Sequence, residues 1–245
     1  ELKSQDLKIN EGLVSTKMTG AVDDVVDALI LEIKKIAGPD VFQTISDLAV
    51  LQMTKLLQND LADFRVNQDG FYSEKSLFSK GKIENTCEII KKNGSAYEKD
   101  GALWLETTKH GDDKDRVVIR EDGRSTYFAS DIAYHHDKKN RGFDLLINVL
   151  GSDHHGYVSR LEAGLASTGN NPSDLEVVLM QFVTLYRGKK KIQMSTRSGN
   201  FVPMRDLYSE VGVDAARFFY VSRSHDQHLD FDLELATKQN NNNPV

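Results

Sequence analysis

The spacing of apolar residues changes along the chain, from a helical period in the first third to short apolar runs in the second half. In the first third, apolar residues recur every three to four positions over residues 22–33 and again over residues 48–64. This spacing predicts two amphipathic helices whose apolar faces belong to a core. Gly38-Pro39 predicts the end of the first helix, and a third, more polar helix is predicted over residues 76–92.

The middle of the chain has the shorter apolar period that is typical of β-strands. Short strands are predicted over residues 102–107 and 117–119. The turn sequence EDGR at residues 121–124 predicts a hairpin between residues 116–120 and 125–128. The polar loop at residues 110–115 contains an acid pair, which is compatible with a cation site or with a solvated loop.

Two nearly continuous apolar runs in the second half, residues 143–150 and 175–185, have the pattern of strands buried on both faces. A helix is predicted between them over residues 157–167. This alternation predicts an α/β fold with a parallel sheet flanked by helices. Because such sheets bind ligands at the carboxyl ends of their strands, the turn at residues 151–156 and the loop after residue 185 are the predicted ligand-binding positions.

The turn after the first buried run reads Gly151-Ser152-Asp153-His154-His155. A glycine at a strand end lets a ligand approach the backbone, an aspartate there can accept hydrogen bonds from ribose hydroxyls, and the histidines offer donors and ring faces to a base. The same residues are compatible with metal ligands, as in DHH-type phosphoesterases, or with a polar strand end that binds nothing. The further aspartate and Gly-rich histidine motifs of those phosphoesterases are not found, so nucleotide contact is favoured.

Two other segments contain side chains suited to substrates. If the chain is helical from Ala129 onward, Tyr127 and Asp131 lie four residues apart on one face, where a hydroxyl and a carboxylate could receive a guanidinium. The alternative is that Asp131 caps a turn and Tyr127 packs. The segment KKIQMSTRSGN at residues 190–200 places lysines before hydroxyl residues and an arginine, which suits a phosphate-binding loop or a solvated hairpin tip.

Composition limits the classes of function. The net charge of −6 excludes a polycation, so any contact with nucleic acid requires a local basic patch. With Cys87 as the single cysteine, a disulfide within the chain is impossible and a reducing, cytoplasmic compartment is expected. Neither a membrane-length apolar run nor a signal-peptide pattern is found. Glu1 and the closing NNNPV do not resemble natural termini, so we expect a fragment of a longer protein.

These segments occur together, in order, in the catalytic domain of bacterial-type arginyl-tRNA synthetases, which the chain resembles closely over residues 60–245 and loosely before them. The matching segments read YEKDGALW (97–104), GDDKDRV (111–117), YFASDIA (127–133), GSDHHGYV (151–158), MSTRSGNFV (194–202), GVDAARFF (212–219) and HLDFDL (228–233). The resemblance implies part of a class I synthetase Rossmann-type parallel sheet flanked by helices, with an α+β connective insertion.

The resemblance also implies a division of the chain. Its four parts are a helical segment within or after the first Rossmann half (1–66), the connective insertion (67–124), the second Rossmann half with a KMSKS-like loop (125–222), and the start of a stem-contact helical region (223–245). The implied reaction activates arginine with ATP to arginyl-adenylate and transfers arginine to tRNA(Arg). Magnesium would accompany ATP without a dedicated metal site in the protein, no membrane partner is implied, and a monomer is expected.

Residue roles follow from the same match. Tyr127 and Asp131 match the arginine pocket, with Asp131 facing the guanidinium. The positions that match ATP contacts are Gly151, Asp153, His154, His155, Met194, Ser195 and Thr196. In the KMSKS-like loop, the residues expected to stabilise charge on the α- and β-phosphates are Ser195, Arg197 and Lys191.

Two departures from the family pattern matter. Gln193 and Thr196 occupy the positions of the two loop lysines, so positive charge must come from Arg197, Lys191 or Lys190, or from a lysine outside the chain. The H-I-G-H signature and the two tRNA-binding domains of the family are not found, so we expect the chain alone to be inactive. The alternatives are a truncated paralogue that binds nucleotide or RNA without catalysis, a metal-dependent phosphoesterase, and a class I synthetase of another specificity.

Overall fold

Of the 245 residues, the computed structural model describes residues 22–194 and 201–238, with side chains from residue 28 onward. The chain divides into two compact units, Glu1–Arg65 and Val66–Val245. Within the described residues, no helix combines the length and the apolar character that crossing a membrane requires.

The described part of the first unit consists of two helices, α1 (Val22–Ala37) and α2 (Pro39–Asp63). Gly38 separates them with a φ of 78°, which glycine adopts without strain, and Pro39 lies in the first turn of α2, where no N–H is needed. The predicted helix end at Gly38-Pro39 is confirmed. α2 has no buried residue, so the prediction that its apolar face belongs to a core is wrong. Two helices packed on each other can bury only a narrow seam.

The second unit begins with two short helices and an antiparallel sheet. Gly81, with a φ of 62°, divides the predicted third helix in two. The sheet has the strand order β1-β2-β3, and Asp100 and Gly101 both have positive φ in the turn between β1 and β2, as a tight type I′ hairpin requires. The elements are α3 (Lys75–Ser79), α4 (Lys82–Lys92), β1 (Ala96–Lys99), β2 (Ala102–Leu105) and β3 (Arg116–Ile119).

The predicted hairpin around residues 121–124 forms only at its base. A single antiparallel bridge pairs Ile119 with Ser125. The Thr126 hydroxyl then accepts a hydrogen bond from the backbone N–H three residues later and caps helix α5 (Tyr127–Asn140). The predicted second strand of this hairpin is therefore wrong, because the cap begins a helix where the pattern suggested a strand.

The predicted parallel sheet is confirmed. Strands β4 (Leu146–Gly151) and β5 (Leu175–Met180) pair in parallel, and the chain between them forms a 3-10 turn (Ser152–Tyr157) and helix α6 (Val158–Ser167). The second apolar run is not one strand. It breaks after β5, and β6 (Val183–Arg187) joins a different sheet.

The two faces of the β4–β5 sheet differ. Leu146 and Leu175 are buried under α5 and α6, whereas Ile147 and Val149 are 55% and 64% exposed. The prediction that residues 143–150 are buried on both faces is wrong for this chain. A strand is buried on both faces only if other elements pack on both faces of its sheet, and the described residues supply helices on one face.

The third sheet has the order β7-β6-β8, with β7 (Lys190–Lys191) antiparallel and β8 (Leu229–Asp232) parallel to β6. Phe231 of β8 is fully buried and stacks on Phe219, with 4.6 Å between the ring centroids. The remaining helices are α7 (Met204–Val211), α8 (Val213–Val221) and α9 (Leu233–Thr237).

One apolar core joins the antiparallel sheet to helix α5. Its larger buried members include Leu77, Ile83, Ile90, Leu105, Val118, Phe128 and Ile132. They lie on both sides of residue 124, the predicted end of the connective insertion. The first half of α5, which contains the candidate site residues Tyr127 and Asp131, therefore packs on the antiparallel sheet.

Gly164 of α6 lies at a close contact with α5. A Cβ on Gly164 would lie 2.8 Å from Cγ1 of the buried Ile132. We expect Gly164→Ala to lower the free energy of unfolding by about 1–3 kcal/mol through overpacking, although alanine itself favours a helix. Urea unfolding checks this, with Gly156→Ala as the control, since the described residues leave a Cβ there without contacts within 4 Å. Equal stability of the two variants would contradict the prediction.

Candidate active site

Asp131 lies in the first half of α5, one helical turn after Tyr127. Its carboxylate accepts a hydrogen bond from the Tyr157 hydroxyl, with 2.5 Å between the oxygens, and the described residues provide it with no other hydrogen bond or ion pair. Burial and this hydrogen bond both raise the pKa of Tyr157, so the phenol remains a protonated donor at neutral pH. Tyr157 ends the turn that follows β4, so α5 meets the strand end at this contact.

Tyr127 is 84% exposed and lines a groove of about 1030 Å³ between helices α3 and α4 and the antiparallel sheet. Ser130 and Arg120 line the same groove. Although Tyr127 and Asp131 are one turn apart on α5, no hydrogen bond joins them in the described structure. The helix therefore places both residues near its N-terminal end without bringing their functional groups into contact.

A buried polar network joins α5 to β4. His135 Nδ1 lies 2.7 Å from the backbone carbonyl oxygen of Asp131, so Nδ1 bears the proton and Nε2 accepts from the Asn148 amide at 2.7 Å. The Asn148 oxygen accepts from the Lys138 ammonium at 3.1 Å. Burial lowers the pKa of His135, in agreement with a neutral ring. Through His135, these hydrogen bonds connect the backbone carbonyl of Asp131 to Asn148 in the middle of β4.

The strand-end turn contains four of the predicted nucleotide residues, Gly151, Asp153, His154 and His155. A Cβ on Gly151 would lie 2.5 Å from Oδ1 of Asp153, so the glycine leaves space for that carboxylate. His154 Nε2 lies 3.9 Å from Asp153 Oδ2, and the His154 ring packs edge-on against Tyr157, with 6.5 Å between centroids. Asp131, Tyr157, His154 and Asp153 therefore form a continuous series of contacts.

The turn also contacts the segment that follows β5. The Ser152 hydroxyl donates to the Gln181 side-chain oxygen at 3.2 Å, and the Gln181 N–H donates to the carbonyl of His225 at 2.7 Å. His155 is exposed, and among the described residues its side chain has no hydrogen bond, ion pair or ring contact. The metal interpretation gains no support here, because no three His, Cys, Asp or Glu side chains within the described ranges are arranged to hold a metal ion.

The predicted phosphate loop is described only at its start. Lys191 and Met194 line a hollow of about 430 Å³ with residues of β6, and both side chains are exposed. Ser195, Thr196 and Arg197 lie outside the described residues. Within the described part of the chain, no hydrogen bond or ion pair joins Lys191 to Asp131 or Asp153. The described residues therefore bring Asp131, Asp153 and His154 together, and Lys191 makes no hydrogen bond or ion pair with this group.

The acid pair of the loop at residues 110–115 is an ion-pair site. The Asp112 side chain is only 4% exposed and accepts two hydrogen bonds of 2.7 Å from Arg116, whose guanidinium holds the Asp112 pKa well below its usual range. Arg160 of α6 also approaches Asp112, with 3.4 Å between Nε and Oδ2. Neither the cation-site nor the solvated-loop interpretation describes Asp112.

Sequence reasoning missed four residues of this region, namely Tyr157, Arg160, His135 and Asn148. Tyr157 and Arg160 lay in a predicted helix, Tyr157 lay also in a segment that matches the family, and Asn148 is a polar residue that interrupts an apolar run. That interruption is the one available signal, because a polar side chain inside a buried strand requires a hydrogen-bond partner. The partner itself lies on another element and cannot be read from spacing.

The fold and the site define an α/β protein whose candidate ligand groups collect at the carboxyl end of a parallel strand pair, as in doubly wound sheets that bind nucleotides. The chain belongs to the family described as tRNA synthetases class I (R), catalytic domain, which it matches over residues 33–232.

The chain is also similar to curated proteins named arginine--tRNA ligase. It is 48% identical over 244 residues to that of Thioalkalivibrio sulfidiphilus, covering 99% of this chain and 42% of the relative. It is 50% identical over 220 residues to that of Hydrogenovibrio crunogenus, covering 90% of this chain and 37% of the relative. The chain thus spans about two fifths of the length of these relatives.

Solved structures agree with the fold. A Campylobacter jejuni structure is 33% identical with a TM-score of 0.79 and covers 97% of this chain and 54% of that one. The arginyl-tRNA synthetase of Thermus thermophilus is 15% identical with a TM-score of 0.62, covering 88% of this chain and 48% of that one, and supports the fold alone.

Proposed function

We propose that the protein containing this chain is an arginine–tRNA ligase, which activates arginine with ATP to arginyl-adenylate and transfers arginine to tRNA(Arg). The family membership and the names of the relatives support the reaction class. Among the site observations, the strongest support is the Asp131 carboxylate, held by Tyr157 beside the strand-end turn and otherwise without a polar partner among the described residues.

The proposed specificity rests on charge and shape. A half-buried carboxylate that forms no ion pair among the described residues is an attractive partner for a guanidinium, which is planar, permanently charged and able to donate two parallel hydrogen bonds. Tyr127, one turn earlier, would add a hydroxyl. A neutral amino acid would leave the carboxylate unpaired, and that costs binding free energy.

The proposed ATP site lies next to the arginine site. Gly151 admits the nucleotide to the strand end, Asp153 accepts hydrogen bonds from ribose, and His154 offers its ring to the base. The loop residues Lys191, Met194, Ser195, Thr196 and Arg197 would contact the phosphates. Magnesium enters bound to ATP, as part of the substrate. The proposed setting is translation in the cytoplasm, with the enzyme acting as a monomer.

The test compares the whole product of the gene with residues 1–245 expressed alone. We expect arginine-dependent ATP–pyrophosphate exchange, with tRNA present, from the whole product and not from residues 1–245. Exchange that depends on another amino acid would refute the arginine assignment. Binding of ATP or RNA by the whole product without any exchange would instead favour the non-catalytic alternative.

A further inference from the structure

Tyr157 occupies the junction of the two proposed substrate sites. Its hydroxyl donates to Asp131 on α5, and its ring packs against His154 in the strand-end turn. Tyr157 therefore contacts both a candidate for arginine binding, Asp131, and a candidate for nucleotide binding, His154. The roles proposed above give Tyr157 itself no contact with a substrate.

The Tyr157 ring is fixed on two further sides. The Arg160 guanidinium lies over the ring, 5.5 Å from its centroid, and Phe128 packs edge-on at 6.2 Å. Arg160 in turn lies 3.4 Å from the buried carboxylate of Asp112, which Arg116 already holds by two hydrogen bonds. The phenol is thus held by α5, by α6 and, through Asp112, by the loop before β3.

A carboxylate needs such a partner if it is to present a defined plane. The terminal torsion of an aspartate is broad, so the rotamer of Asp131 does not itself fix the orientation of its two oxygens. A guanidinium that donates two parallel hydrogen bonds requires that orientation. A rigid phenol that donates to Oδ2 restricts rotation of the carboxylate and leaves Oδ1 available to a guanidinium.

We propose that Tyr157 is a positioning residue for the arginine pocket: its hydroxyl fixes the carboxylate of Asp131 in the orientation that receives the guanidinium. The inference rests on the proposed function and adds to it a residue that acts through Asp131. Its consequence is selective, because the interaction with arginine depends on this orientation while the contacts proposed for ATP do not.

The test is Tyr157→Phe in the whole product of the gene, which removes one hydroxyl and keeps the ring. We expect the KM for arginine to rise by up to about tenfold, because the freed carboxylate must then be ordered when the guanidinium binds, with the KM for ATP changed by less than about twofold. Steady-state aminoacylation of tRNA(Arg), with each substrate varied in turn, measures both constants.

Tyr97→Phe is the matched control. Its hydroxyl donates to the carboxylate of Asp115 at 3.0 Å, so the same tyrosine–aspartate bond is removed at a place with no proposed substrate contact. We expect both KM values to stay within about twofold of those of the unaltered protein. Urea unfolding of both variants verifies that the comparison is made on folded protein.

A second variant tests the arrangement without altering Tyr157. Arg160→Met removes the cation over the ring, and we expect it to raise the KM for arginine about threefold, in line with a cation–π contact. The inference is overturned if Tyr157→Phe folds and leaves the ratio of the KM for arginine to the KM for ATP unchanged. If Tyr157→Phe does not fold, an unchanged ratio in Arg160→Met overturns the inference instead. An unaltered protein without arginine-dependent activity would refute the proposed function as well.

Discussion

Asp131→Asn is expected to reduce kcat/KM for arginine by about a hundredfold or more, because it removes the charge opposite the guanidinium from a half-buried site. The change is isosteric, and the amide oxygen can still accept the hydrogen bond of Tyr157, so the protein should fold normally. The KM for ATP should change by less than about twofold, since the contact that is lost belongs to arginine alone.

The control is Asp137→Asn on the same helix. Asp137 pairs with Lys82, so this variant also removes a carboxylate from α5 but leaves the strand-end region intact. We expect a lower free energy of unfolding and an unchanged KM for arginine. If Asp131→Asn has no larger effect on arginine kinetics than Asp137→Asn, the assignment of Asp131 to the arginine pocket is wrong. Aminoacylation at varied arginine, together with urea unfolding, separates the two effects.

The elements of the second half could be predicted because their signals are local. A nearly continuous apolar run followed by a glycine gave the end of β4, and the helix on which the arginine-pocket interpretation of Tyr127 and Asp131 depends is present as α5. The strand-end position of Gly151 also followed from the parallel sheet alone. These predictions needed only the period of the apolar residues and the rule that ligands bind at the carboxyl ends of parallel strands.

What could not be predicted depends on partners distant in sequence. The run over residues 175–185 contains no glycine or proline, yet it divides between two sheets, because β5 pairs with β4 and β6 pairs with β8. The hydrogen bond from Tyr157 to Asp131 spans 26 residues, and no spacing rule relates them. Asp112 was misjudged for the same reason, since Arg160, one of its two cationic neighbours, lies on another element.

The geometry of β7 distinguishes between Lys190 and Lys191, two candidate cations of the predicted phosphate loop. Lys190 and Lys191 are successive residues of one strand, so their side chains point to opposite faces. Lys191 lines the hollow at the start of the loop together with Met194. Strand alternation therefore favours Lys191 over Lys190 as the second source of positive charge, behind Arg197.

Arg197→Ala in the whole product of the gene is expected to slow arginine activation by about a hundredfold to a thousandfold, the typical effect of losing one donor that stabilises charge in the transition state. Arginine binding should change little, because the loop is proposed to contact phosphates and not the amino acid. Single-turnover formation of arginyl-adenylate, with tRNA present, separates the rate of activation from the affinity for arginine.

Two lysine variants complete the experiment. Lys191→Ala is expected to slow the same step by about tenfold, as a more distant charge would, and Lys190→Ala by less than about twofold. An activation rate that is unchanged in Arg197→Ala would exclude it as the cation that replaces the loop lysine. If Lys190→Ala and Lys191→Ala slow the step equally, the strand geometry does not select between them. If none of the three variants slows the step, a charge outside this chain is the better explanation.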